Sequence, residues 1–74
     1  MRVTWLPSAW KAVEEADPVI RGRIESEVPV MFADSVPASA VHRYVDVLMV
    51  ELPCGVELDF ERTGDGVMIL YVGF

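Results

Sequence analysis

Val56-Glu57-Leu58-Asp59-Phe60-Glu61-Arg62, followed by Thr63-Gly64-Asp65-Gly66 and then Val67-Met68-Ile69-Leu70-Tyr71-Val72, is the stretch that decides the fold. Its first part alternates apolar and charged residues, the pattern of a strand buried on one face only. Thr63–Gly66 is rich in hairpin-turn residues, and the apolar run after it reads as the returning strand. Just upstream, Tyr44 to Leu52 is another β-prone run, and Pro53-Cys54-Gly55 is a turn. The C-terminal part of the chain is therefore expected to form a three-stranded antiparallel meander.

Toward the N-terminus, residues 2–6 (Arg-Val-Thr-Trp-Leu) are β-prone and stop at Pro7, which suggests a short first strand. Ser8 reads as the N-cap of a helix through Ala16, with Trp10 and Val13 on its apolar face. Asp17-Pro18 restarts the chain as a second helix, a carboxylate at the N-cap and a proline at the first helical position. That helix carries Ile20, Ile24 and Val28 at i, i+4 and i+8, and Pro29 is expected to end or kink it near Val28. Residues 29–43 read as a helical turn and a loop. The expectation is a single domain, 1–74, of the α+β class: a two-layer β-α-α-β-β-β order with the antiparallel C-terminal meander packed on two helices.

Strand alternation assigns two faces to the meander. Val56, Leu58 and Phe60, joined by Val67, Ile69 and Tyr71, point to the helices. Glu57, Asp59 and Glu61 point away, with Glu51 beside Glu57 across the Pro53–Gly55 turn and with Val47, Met49, Met68, Leu70, Val72 and Phe74 on the same side. Like charges on adjacent strands cost stability, and apolar groups around them favour association. The plainer reading of this face is a solvated sheet surface. The sharper one is a partner-docking face made of Glu51, Glu57, Asp59, Glu61, Met49, Met68 and Leu70. Same-face carboxylates on one strand lie about 7 Å apart, too far to share an ion without further ligands, so no metal is expected.

The chain has 74 residues, 53% of them hydrophobic with thirteen valines, and a net charge of −6 from twelve acids and six bases. The apolar content excludes a disordered acidic tail. The charge argues against direct nucleic-acid binding, which needs a basic surface. One cysteine, Cys54, excludes a disulfide scaffold. Five of the six bases are Arg and there is no Asn or Gln, a bias that fits a GC-rich coding genome and points toward a bacterium or its phage. Met1–Trp5 has no signal-peptide pattern, and no uncharged stretch approaches the ~20 residues that span a bilayer. A cytoplasmic protein with no membrane partner is expected.

Catalytic chemistry is sparse. His42 is the only histidine, so neither a zinc site nor a Cys-His-Asp triad has spare members. A Cys54–His42 pair is conceivable, against the plainer reading of a turn cysteine and a loop histidine. The serines lack nucleophile-elbow glycines, and Gly64 and Gly66 belong to the hairpin rather than to a phosphate loop. Arg43, Tyr44 and Arg62 are the one grouping suited to phosphate. No catalytic residue and no cofactor is assigned, and the chain is read as not an enzyme.

Val3-Thr4-Trp5-Leu6-Pro7-Ser8-Ala9, two amphipathic helices, Val50-Glu51-Leu52-Pro53, Gly55-Val56-Glu57-Leu58-Asp59-Phe60 and Val67-Met68-Ile69-Leu70-Tyr71-Val72-Gly73-Phe74 together resemble the RelE/ParE/HigB toxin superfamily. The resemblance spans essentially the whole chain and implies the same β-α-α-β-β-β order. The family's usual Arg in the third strand is replaced by acid in Gly55-Val56-Glu57-Leu58, and its basic residues after the last strand have no counterpart. The resemblance thus implies a toxin-like scaffold without the cations that would offset charge on a scissile phosphate.

Three functions follow as expectations. The first is a non-catalytic acidic protein-binding module or inhibitor, encoded by a phage or mobile element and of anti-CRISPR type, docking on a basic protein surface. The second is the toxin of a type II toxin–antitoxin pair, a ParE-like gyrase poison or a RelE-like mRNA interferase. The third is a structural or regulatory homodimer formed through the same sheet face.

Overall fold

Proline and aspartate set the helix boundaries. In the computed structural model, which describes residues 1–74, strand β1 (Arg2–Trp5) leads directly into helix α1 (Pro7–Glu14). Pro7 takes the first helical position, where its missing N–H costs nothing, so the cap is Leu6 rather than Ser8 and no side chain caps the end. The helix stops at Glu14, two residues short of Ala16. Helix α2 (Pro18–Met31) starts as expected: Asp17 is the N-cap, and its carboxylate accepts the Val19 N–H at 2.9 Å. It does not stop at Val28. Pro29 lies inside the helix, and the Phe32 N–H still donates to the Val28 carbonyl at 3.1 Å. Pro29 forfeits one hydrogen bond, but continuing the helix carries Phe32 into the core beside Val28.

Four further strands follow: β2 (Val41–His42), β3 (Leu48–Glu51), β4 (Glu57–Arg62) and β5 (Gly66–Gly73). The meander β3-β4-β5 is antiparallel as expected, and β1 adds to it in parallel beside β5. The two-residue β2, read from sequence as loop, pairs antiparallel with β3. The result is a five-stranded mixed sheet in the order β1-β5-β4-β3-β2, with two helices. Fourteen apolar residues form one core between helices and sheet, and no charged or polar residue is buried. Phe32 of the α2 cap meets Phe60 of β4 edge to face, with ring centroids 5.0 Å apart.

The face assignment held for β4 and failed for half of β5. Val56, Leu58, Phe60, Val67 and Ile69 are buried. Tyr71, expected in the core, is 61% exposed, and Val72, expected outside, is 4% exposed. The register explains both: Phe60 pairs with Ile69 but Asp59 pairs with Tyr71, so Leu70 is an extra residue, a β-bulge. One extra residue reverses the parity of everything after it.

Two local constraints fix neighbouring elements to one another. Gly66 pairs with Arg2, and a Cβ there would lie 1.8 Å from the Arg2 carbonyl oxygen. The β3–β4 turn is fastened to α2, where the Glu27 carboxylate accepts the Cys54 N–H at 2.9 Å and also pairs with Arg23. Burial resists ionisation of Glu27, but the Cys54 N–H and the Arg23 guanidinium outweigh it and hold its carboxyl below the ordinary value.

Gly66→Ala is expected to cost about 3 kcal/mol in urea unfolding because β1 must move. Gly64→Ala, which meets open space, should stay within about 0.5 kcal/mol of wild type. Because the Glu27 carboxyl is depressed by folding, its contribution is fully present above the unfolded carboxylate value and is lost as pH falls through the folded one. The stability gap between wild type and Glu27→Gln should therefore close on acidification, measured by urea midpoints across the acid range.

Candidate functional site

With the helices on one side of the sheet, the other side is left open, and β4 must present Glu57, Asp59 and Glu61 there because Leu58 and Phe60 are needed in the core. The register adds the neighbours. Glu51 of β3 lies opposite Glu57, Met49 opposite Asp59, and Met68 of β5 opposite Glu61. Val41 of β2 extends the face beside Met49, and Thr4 of β1 lies opposite Met68 on the far side. Leu70, the bulged residue, follows inward-facing Ile69 and so joins Tyr71 on the open face. All seven residues expected in a docking face thus share one side of the sheet. Of the other residues expected on that side, Val72 is buried in the core and Phe74 lies beside Ala12 and Ile20 of the helices, while Tyr71 joins the open face.

The electrostatics differ from the sequence reading. Arg62 was the only base near these acids in sequence, yet it pairs with Val67, a core-side position, and makes no ion pair. The counter-ion is Arg43. Its backbone N–H closes the β2–β3 hairpin on the Val47 carbonyl at 2.9 Å, which holds the side chain over the sheet. Arg43 Nε donates to Asp59 Oδ1 at 3.0 Å, and Nη2 reaches Glu57 Oε2 at 3.4 Å and the Met49 Sδ. Asp59, whose side chain is 14% exposed, is the well-covered member of this triad, and Glu57 is half-exposed. Glu51 and Glu61 have no cationic partner.

The sequence signal for Arg43 was weak because sixteen residues separate it from Asp59. Only the β2–β3 hairpin brings the two together, and a two-residue strand has no periodicity to read. Arg43, Tyr44 and Arg62 do not converge as a phosphate site: Arg43 is taken by carboxylates, Tyr44 is exposed, and Arg62 belongs to the opposite parity. His42 pairs with Leu48 at the start of β3 and Cys54 lies past the strand's other end, so they form no pair. No group of three or more His, Cys, Asp or Glu is arranged to hold a metal ion, and no helix is long and apolar enough to cross a membrane.

No protein-family model, curated protein or solved structure matches this chain.

The opposed Glu51 and Glu57 should make the face less stable than its sequence allows. Glu51→Lys is expected to raise unfolding stability by about 0.5 kcal/mol. Arg43→Ala, which leaves Asp59 without its cation, should lower it by about 1 kcal/mol. Urea titration of both variants checks the pair.

Proposed function

We propose that the chain is a small protein-binding module, without catalytic function of its own, that docks on a basic protein surface through the open face of its sheet. The observation that carries this reading is the Arg43 guanidinium seated on Glu57, Asp59 and the Met49 thioether. Carboxylates flanked by half-buried apolar side chains orient and hold a guanidinium while the methionines cover its stem. Glu51 and Glu61 remain without partners on either side of Arg43, so the face retains uncompensated charge for a second, external cation. Met68, Leu70 and Tyr71 supply apolar area alongside.

The same charge weighs against self-association through this face, since a second copy would bring Glu51 and Glu61 against their own kind. It weighs equally against an RNA or DNA substrate. The RelE-like reading of the scaffold rests on the quoted sequence segments and on the order of two helices between a first strand and the meander. Under it, the module is a toxin-like scaffold whose substrate-binding charge has been inverted, and a small inhibitor carried by a phage or mobile element is the role we assign. Its location in the cytoplasm is part of the same proposal.

An arginine-rich model peptide should bind with an affinity that falls steeply with added salt. Glu51→Lys combined with Glu61→Lys should weaken it by about tenfold or more while circular dichroism stays unchanged. Binding indifferent to both salt and the double variant would refute the reading. Expression of the chain alone in a bacterial host should leave growth unaffected, whereas growth arrest would favour the toxin alternative.

A further inference from the structure

The two edges of the sheet are not alike. β2 is two residues long and gives way at once to Arg43, a short, charged edge of the kind that resists further pairing. β1 is twice as long, and from Val3 to Trp5 it carries no charge. The Arg2 and Leu6 N–H groups donate to the Asp65 and Ile69 carbonyls of the β5 side. By alternation the N–H and C=O of Val3 and Trp5 point to the open edge. The same two residues turn their side chains to the helix layer, where they line an apolar cleft of about 430 Å³. Trp10, Val28, Pro29 and Phe32 form most of the rest of its wall, and Trp5 meets Trp10 edge to face at 5.3 Å.

We infer that β1 is a self-pairing edge, and that a second copy of this chain adds its own β1 antiparallel across a two-fold axis at Thr4. Free backbone groups at Val3 and Trp5 are symmetric about Thr4. Val3 of one copy and Trp5 of the other therefore exchange both hydrogen bonds, twice, and no open-edge group between them is left over. The charge distribution selects this occupant. The chain carries −6, yet residues 1–13 contain Arg2 and Lys11 and no acid, and Val28–Ala33 on the facing lip of the cleft carry no charge. Two charged groups stand in the cleft wall: Glu25 is paired with Arg21 at 2.8 Å, and the Met1 ammonium donates to the Phe32 and Ala33 carbonyls. Arg2 and Lys11 are themselves paired, with Asp65 at 3.7 Å and Glu15 at 3.9 Å, so a second copy meets no opposed row of unpaired side-chain charges as it would at the acidic face, and a foreign basic segment finds no free carboxylate to select it. The inference is independent of the docking role given to the acidic face.

Sedimentation velocity of the full chain over a dilution series, with amide exchange followed at Val3 and Trp5, tests it. A reversible monomer–dimer equilibrium is expected, with both amides protected at high concentration and released on dilution. Val3→Pro removes an outward N–H without touching the β1–β5 ladder, and Pro29→Glu places like charges across the axis on an exposed helical position. Each should weaken the dimer by about tenfold or more, and Glu57→Lys on the acidic face should leave it unchanged. A chain that stays monomeric throughout, or a dimer that survives Val3→Pro and Pro29→Glu, overturns the inference.

Discussion

The structure depends on the parity of β4. Leu58 and Phe60 are fully buried against the helices, and strand geometry then leaves Glu57, Asp59 and Glu61 no direction but outward. Each neighbour adapts to that fixed strand. β3 matches it with Val50 inward and Met49 and Glu51 outward. β5 matches it only by bulging at Leu70, which keeps Ile69 and Val72 both in the core although three residues separate them. A core of fourteen residues in so short a chain cannot give up Val72, and the cost of one unpaired backbone position is smaller than that of exposing it.

From this constraint the acidic face follows without further assumption, and Arg43 follows from the face. Asp59, its side chain 14% exposed, is far more covered than Glu57, and a shielded carboxylate needs a cation or a donor. The short β2–β3 hairpin delivers one from across the sheet. Because Arg43 serves Glu57 and Asp59 together, Glu51 and Glu61 are left without a cation; under the proposed docking role, relieving the Glu51–Glu57 opposition would steady the sheet and weaken its hold on a basic partner.

Much of this was legible in the residues. The strict alternation of 56–62, the Thr63–Gly66 turn and the Asp17-Pro18 helix start each state a local rule that the fold obeys. The misreadings have separate physical causes. Pro7 and Ser8 both qualify as helix-start residues, and proline's fixed φ won. Pro29 was tolerated because Val28 and Phe32 are buried on either side of it. The bulge left no trace in composition, since Leu70 and Tyr71 suit either face. β2 and the reach of Arg43 are long-range outcomes, invisible to any window along the chain. The parallel docking of β1 on β5 was likewise unread, although Gly66, read only as a turn residue, is where the two backbones come together.

The central claim, that the outward acids and methionines form one cation-accepting docking surface, is tested most directly by the methionine methyl resonances during titration with an arginine-rich peptide at low salt. Met49 and Met68 lie on the open face, while Met31 lies on α2 and Met1 beside the β1 edge cleft. The account predicts that Met49 and Met68 shift together and that Met1 and Met31 stay in place. Shifts confined to Met1 or Met31, with Met49 and Met68 unmoved, would contradict it.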